Sequence, residues 1–282
     1  MANDRQKAYW SEVAAPKWLG LGGAMEARLA PVSNAVIAAA ALKPGERVLD
    51  IGCGAGFTSL EAAAKVGPHG HVLGVDIAAP MIEAARAQAG RQGAGNADFV
   101  LGDAQTEIFS PPADVLISRF GVMFFEDPAA AFANLRRSAA AGARMVFAAW
   151  APLDDNLHWA VPLQLVEALA GSGTPRTPRA PGPLAFDDAD YVLSILREAG
   201  WMNADVRAEA VHLRGVSLDE EARVACVMGP SGALLDEKQA NPAQREAACE
   251  AIRAALPGYA EIAAEGGLRL PATIHLITAS AP

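Results

Sequence analysis

Four stretches of this sequence carry residue types that could hold and activate a small ligand. In VLDIGCGAGF, residues 48–57, an apolar run containing Asp50 passes directly into Gly52, Cys53, Gly54 and Gly56. Glycine at alternate positions lets the backbone turn tightly and lets a ligand lie against main-chain atoms with no Cβ in the way. A second apolar run ends in Asp76, where a carboxylate can accept hydrogen bonds from both hydroxyls of a ribose. A third is followed by Gly102, Asp103 and Ala104, and a fourth ends at Ser118 with Arg119 beside it. A dinucleotide fingerprint places its third glycine at position 57, to pack a helix close beside a pyrophosphate; Phe57 stands there and disfavours that ligand. Glycines in this pattern also serve ordinary strand-to-helix turns, so the surrounding carboxylates carry much of the signal.

Chemistry at an oxygen or carbon nucleophile usually needs a base, and the chain has five histidines. His69 and His71 precede or begin the second apolar run, at the end remote from the glycines, and read as surface residues. His212 and His275 fall within late apolar runs and read as structural. His158 follows the fifth run on the ligand side and is the candidate catalytic base. Arg119 has two readings, an anchor for an acidic substrate group or a structural salt bridge. Phe120, Met123, Phe124 and Phe125 lie next to it in sequence, and Tyr9, Trp10, Trp18, Trp150 and Trp159 add further apolar surface. Most such side chains build a core, but some must line a pocket, since small-molecule pockets are mainly apolar with a few polar anchors.

From residue 43 to 150, short apolar runs alternate with alanine-rich stretches, the pattern of consecutive βαβ units and a parallel sheet. Strands are expected over 47–51, 71–76, 97–101, 114–118 and 144–150. Helices are expected over 58–66, 80–92 and 128–139, the last capped by Asp127 with Pro128 in its first turn. Gly142 marks the turn into the fifth strand. Residues 1–42 read as two or three helices, one of them opened by Pro31. GSGTPRTPRAPGP, residues 171–183, is too rich in Pro and Gly for regular structure and reads as a mobile loop. A helix over 187–199, strands over 204–213 and 268–279, and a helical stretch between them at 218–264 complete the chain. The expected organisation is α/β in one domain over 1–282: a helical cover at 1–42, a cofactor-binding core at 43–150, and a substrate side at 151–282 containing the insertion.

VLDIGCGAG, GVDIAAPMIEAAR and LGDAQ, in this order and spacing, resemble the class I S-adenosylmethionine-dependent methyltransferases, most closely the subset similar to the ubiquinone and menaquinone C-methyltransferases. The motifs cover about residues 44 to 150. The resemblance implies a Rossmann-like, doubly wound, seven-stranded sheet in the order 3-2-1-4-5-7-6. It also implies S-adenosylmethionine as cofactor and S-adenosylhomocysteine as product. By it, Gly52, Cys53, Gly54 and Gly56 lie along the methionine part of the cofactor and Asp50 orients the methionine amine. Asp76 holds the ribose, with Ile77 and Met81 beside it; Gly102, Asp103 and Ala104 face the adenine, and Ser118 lines the same pocket. The signatures of the true quinone enzymes outside this core are missing, so the quinone substrate is not carried over. SRFGVMFF follows the fourth strand where amino-methylating nucleic-acid enzymes have an Asn-Pro-Pro-Tyr type signature.

The formal net charge of −9 leaves no basic surplus for a phosphate backbone, which disfavours nucleic acid. No apolar run reaches the roughly 18–20 residues of a membrane span, and the first residues lack a signal peptide's apolar stretch, so a cytoplasmic protein is expected. Cys53, Cys226 and Cys249 are spaced for neither a disulfide framework nor a CxxC metal site and read as reduced thiols, Cys53 as a small filler. Arsenite methylation, which calls for clustered cysteines, and a metal-dependent catechol chemistry are both disfavoured, and no metal is expected. The expected reaction is methyl transfer to an O, N or C atom of a small apolar or aromatic molecule. The alternatives are another transfer reaction on the same cofactor core, such as aminopropyl transfer, and non-catalytic cofactor binding. The oligomeric state, a homodimer included, stays open.

Overall fold

The structure is a computed structural model that describes residues 3–21, 23–263 and 266–282. Its sheet begins with five strands that run parallel: β1 (Arg47–Ile51), β2 (His71–Asp76), β3 (Ala97–Leu101), β4 (Ala113–Arg119) and β5 (Ala139–Trp150). Val48, Leu49, Ile51, Val72, Val75, Val115, Leu116 and Ile117 are all buried, as strands covered by helices on both faces must be. The covering helices are α4 (Phe57–Val66), α5 (Ala79–Gln92) and α6 (Pro128–Arg136), the last capped by the Asp127 carboxylate accepting from the Ala130 N–H at 3.0 Å.

The strand order is β3-β2-β1-β4-β5-β8-β6, where β6 is Met202–Gly215 and β8 is Leu268–Ser280, antiparallel to both its neighbours. A two-residue strand β7 (Glu261–Ile262) pairs with β8 beside this path. Apart from that addition the order is the expected one. The chain reverses its lateral direction between β1 and β4, so a crevice opens above the carboxyl ends of those strands, where open α/β sheets bind ligands.

Before β1 come α1 (Asp4–Ala8), a π-helical turn over Tyr9–Ala14, α2 (Ala15–Gly20) and α3 (Gly23–Ala40). Pro31 does not open a helix; it lies inside α3. An internal proline costs about 3 kcal/mol. That face of α3 buries Met25, Leu29, Val32, Val36 and Ile37 against β4, β5 and β6, each worth about 1.5–3 kcal/mol, so burial wins.

After β5 comes α7 (Leu157–Ala170), a helix not among those expected, with Pro162 inside it. Residues 171–183 have irregular backbone, followed by α8 (Ala189–Glu198). The helical stretch expected over 218–264 comprises three helices, α9 (Leu218–Val227), α10 (Gly229–Glu237) and α11 (Pro242–Ala255), then a 3-10 turn and β7; residue 264 lies outside the described residues. The fifth strand starts at Ala139, well before residue 144. α6 stops at Arg136, and Gly142, at φ +70°, sits within β5 where its pairing with β4 shifts register.

Candidate functional site

The loop after β1 carries three left-handed glycines, Gly52, Gly54 and Gly56, at φ +65°, +55° and +84°. They do different work. A Cβ on Gly54 would project into open space, so this residue leaves main chain bare toward the crevice. A Cβ on Gly52 would come within 2.6 Å of Gly121 Cα, and one on Gly121 within 2.5 Å of the Ile51 carbonyl oxygen, so the loops after β1 and β4 touch backbone to backbone. Ser118 ties them together: its hydroxyl donates to the Ile51 carbonyl at 2.6 Å and accepts from the Gly121 N–H at 3.1 Å. Gly56 faces away from the crevice, where a Cβ would strike the Phe99 ring at 2.9 Å and Ala85 at 3.0 Å. Of the residues expected as cofactor contacts, Gly56 has its Cβ side occupied by packing and Ser118 has its hydroxyl engaged in loop-to-loop hydrogen bonds.

Three carboxylates stand at the strand tips. Asp50 is 1% exposed and accepts from the Ser59 hydroxyl at 2.5 Å. Burial pushes its pKa up to about 6, against the opposing pull of Ser59 and Arg119. Asp76 accepts from the Gly54 N–H and the Ala78 N–H, both at 2.9 Å, so it holds the glycine loop in place; burial raises its pKa as well. Asp103 accepts from the Gln105 N–H at 2.9 Å and from the Asn3 amide at 3.2 Å. Asn3 Oδ1 and Gln6 Oε1, which line the same cavity as Asp103, are buried acceptors without a partner. Cys53 lies under the loop as a buried thiol whose pKa burial drives well above the ordinary value, so it is no nucleophile.

These groups line one end of a cavity of about 820 Å³, which reaches Ile77, Met81, Gly102 and Ala104. That volume is at the upper end of small-molecule sites. A separate surface hollow of about 680 Å³, lined by Arg47, His71 and Asp98 among others, lies toward the amino ends of the strands and away from the glycine loop. His71 pairs there with Asp98 at 2.9 Å, and His275 is tied to the Phe186 carbonyl at 3.1 Å on β8.

The other end of the large cavity is aromatic. Phe120 stacks on Trp150 with ring centres 4.4 Å apart, Trp159 lies 4.6 Å from Trp150, and Trp10 meets Phe124 edge-on at 4.8 Å. His158, in the first turn of α7, sits 5.3 Å from both Trp150 and Trp159 and is 3% exposed. Neither ring nitrogen makes a hydrogen bond of good geometry. Burial, then the nearby charge of Arg28, drives its pKa well below 6.5, with the Pro271 carbonyl acting weakly the other way; the ring is neutral at pH 7.

Two arginines border this end. Arg119 donates to Glu26 at 2.7 Å and to Ser33 at 3.1 Å, and Glu26 also accepts from the Trp18 indole at 3.0 Å. Of its two expected roles, these contacts match the structural salt bridge. Arg28, on the same helix as Glu26, pairs with Glu221 of α9. The N-terminal helices, α10 and part of the 171–183 loop all contribute to the cavity lining. Lys17 pairs with Asp236, and Thr174 binds Glu237 through both its N–H and its hydroxyl.

Sequence reading missed Gly121, Asn3, Gln6, Glu26 and Arg28. A glycine two residues after the fourth strand was a usable signal for Gly121. The others had none, since each acts across more than 90 residues of chain or through a buried atom whose lack of a partner only the fold reveals.

An open α/β sheet with a bare glycine loop at the tip of its first strand and carboxylates at the tips of the first three defines a nucleoside-binding Rossmann-like protein. A family model described as a methyltransferase domain matches residues 42–169. Nocamycin O-methyltransferase of Saccharothrix syringae is 31% identical over 198 residues, which cover 67% of this chain and 71% of that protein. Aklanonic acid methyltransferase DauC of Streptomyces sp. (strain C5) is 41% identical over 104 residues, 36% of this chain and 47% of that one, so the chain spans about half its length. The solved YcgJ protein of Bacillus subtilis superposes with a TM-score of 0.54 at 17% identity, over 88% of this chain and 97% of that one, a likeness of fold. The chain belongs to the class I S-adenosylmethionine-dependent methyltransferases, and S-adenosylmethionine is its cofactor.

Proposed function

We propose that the chain methylates a hydroxyl oxygen of a small, planar, largely apolar molecule, with His158 as general base. One observation carries this: a buried, neutral imidazole whose ring nitrogens make no hydrogen bond of good geometry and have only the Pro271 carbonyl nearby, set in an aromatic wall of the cavity that begins at the glycine loop. Such a ring can accept a proton from a hydroxyl. The relative matched over most of its length is named an O-methyltransferase. The aromatic walls favour a planar apolar body, since burying apolar surface gains about 25 cal/mol per Å².

The cofactor fits the glycine end. Gly54 leaves main chain bare where a Cβ would fill the cradle, and Asn3 Oδ1 and Gln6 Oε1 are orphaned acceptors for a donor such as the adenine amine. Gly52, Cys53 and Gly54 carry the methionine part, Asp50 its ammonium group, and Asp76 the ribose. Ile77 and Met81 flank the adenine, and Gly102, Asp103 and Ala104 edge it. Gly56 and Ser118 support these loops from behind. When bound, S-adenosylmethionine supplies a methyl group made electrophilic by its sulfonium, which leaves the protein to align a nucleophile, take up a proton and exclude water. Residues 1–42 and the insertion close over the acceptor as parts of the same domain. Nucleic acid is no partner, in keeping with the net charge of −9. A cytoplasmic setting suits the three free cysteines; no helix among the described residues is long and apolar enough to cross a membrane.

Incubation of cell extract with methyl-labelled S-adenosylmethionine tests this reading, with label expected in apolar low-molecular-weight fractions. Label recovered in tRNA, protein or a strongly hydrophilic amine contradicts it.

Asp50 gives the cofactor half a pH signature. Its pKa stands near 6 in the folded protein against 3.8 ordinarily, so the free protein holds an extra proton between those values and its stability gains as pH falls through that window. A bound ammonium group favours the carboxylate and expels this proton. Affinity for S-adenosylhomocysteine therefore falls as pH drops below about 6, and binding near that pH releases protons. Calorimetry in buffers of different ionisation enthalpy reads the release directly. A buffer-independent enthalpy in the wild type, or an unchanged release in Asp50→Asn, removes Asp50 from this role.

A further inference from the structure

Arg28 is nine-tenths buried and lines the same cavity as His158. Its Nη1 donates to Glu221, and among the described residues this is its one hydrogen bond. A guanidinium presents five N–H donors in a planar fork and keeps its charge, so the Nε and Nη2 side of Arg28 offers donors to the cavity that Glu221 does not take up. Arg119, the other buried arginine of the cavity, differs in having both terminal nitrogens engaged, by Glu26 and Ser33. The groups around Arg28 are Glu221 from α9, Tyr259 from the segment after α11, and His158 from α7, near enough for its charge to depress the His158 pKa. Tyr259 is a neutral phenol whose pKa burial raises. Glu221 is therefore the one carboxylate in contact with this arginine among the described residues.

A buried charge with open donors costs stability unless an acceptor completes it. The acceptor that fits a planar two-donor edge is a carboxylate, taken bidentately. A polyphosphate does not suit the cavity, because Glu26, Asp50, Asp76 and Asp103 already line it. We propose that Arg28 is the specificity-determining residue of the acceptor half. It seats the carboxylate of a monoanionic aromatic acid on its Nε–Nη2 edge, while Glu221, a positioning residue, holds the Nη1 side. The acceptor is then a hydroxy acid, with its carboxylate on Arg28, its hydroxyl toward His158 and its ring against Phe120, Trp150 and Trp159. This rests on reading the cavity as the site of hydroxyl methylation.

The test uses three probes of one shape, 3-hydroxy-2-naphthoate, its carboxamide and 2-naphthol, titrated into the full chain saturated with S-adenosylhomocysteine. The wild type should bind the acid about tenfold or more tighter than the carboxamide, the worth of at least one charge-assisted hydrogen bond. Because Arg28→Met alone strands a buried carboxylate, it is paired with Glu221→Gln. In that double variant the acid preference should shrink to within about twofold while 2-naphthol affinity holds within about threefold. Arg28→Lys, which keeps the charge facing Glu221 but loses the fork, should lower the preference by about threefold or more and provides a second variant if the first does not fold. No acid preference in the wild type, a preference that survives the double variant, or equal loss of all three probes overturns the proposal. If the preference follows Arg28 while no probe hydroxyl is ever methylated, the anion site stands and the hydroxyl-methylation reading falls. If a hydroxyl is methylated with no preference for the acid, the outcome is reversed.

Discussion

His158→Gln should lower kcat by about 10²- to 10⁴-fold, the usual worth of a positioned general base, while leaving affinity for S-adenosylhomocysteine within about twofold. Glutamine fills much of the same space but cannot take the proton. The wild-type pH profile follows from the direction of the pKa shift. Burial and Arg28 hold the His158 pKa well below 6.5, so the ring is already the free base at neutral pH, and kcat/KM should be flat there and fall only on the acid side. An anionic acceptor beside Arg28 offsets part of that charge, so the fall in kcat should come at higher pH than the fall in kcat/KM. Stability moves with the same sign. The unfolded chain takes up this proton near pH 6.5 and the folded one does not, so the contribution of neutral His158 is complete above that pH and is lost as pH drops below it; the glutamine variant lacks this loss. An unaltered kcat, or a loss confined to cofactor affinity, removes His158 as the base.

Asp76→Ala should weaken cofactor binding by about a hundredfold or more. Hydrogen bonds to a charged acceptor are worth about 1.5–3 kcal/mol each, and in the proposed binding mode two ribose hydroxyls depend on this group. The structure adds a second source of loss, because the same carboxylate accepts from the Gly54 and Ala78 N–H groups and so fixes the loop it serves. Asp76→Asn, which keeps one acceptor oxygen, should recover part of the affinity. Titration of S-adenosylhomocysteine by calorimetry, with a thermal melt to confirm folding, decides the matter. Undiminished affinity in a folded alanine variant takes Asp76 out of the site.

The parts of this molecule legible in its sequence are those where one local stretch carries both structure and chemistry. The strands over 47–51, 71–76 and 97–101 are short buried runs, and the structure has them with those bounds. The glycine loop with Asp50, and the strand-tip residues Asp76 and Asp103, could be named because each follows directly from a strand. Pro31 misled because local propensity treats an internal proline as a break, while the buried face of α3 outweighs its cost. The alanines at the start of β5 carry no strand signal, and only pairing with β4 makes them strand. What the sequence does not show is that Gly56 packs its Cβ side against Phe99 and that the Ser118 hydroxyl ties the loops after β1 and β4 together. The acceptor half is the least legible. Arg28 and Glu221 lie 193 residues apart, and His158 is exceptional for bonds it does not make.

The atom that receives the methyl group is the most direct discriminator. With S-adenosylmethionine carrying a ¹³C-labelled methyl and the acceptor recovered from the active fraction, carbon-detected NMR separates methyl bound to oxygen from methyl bound to nitrogen or carbon. Label on a hydroxyl oxygen of a small aromatic acid, formed by the wild type and nearly absent with His158→Gln, is the expected result. Label on nitrogen or carbon, or on oxygen at an undiminished rate without His158, contradicts the assignment of this chain as a His158-dependent O-methyltransferase.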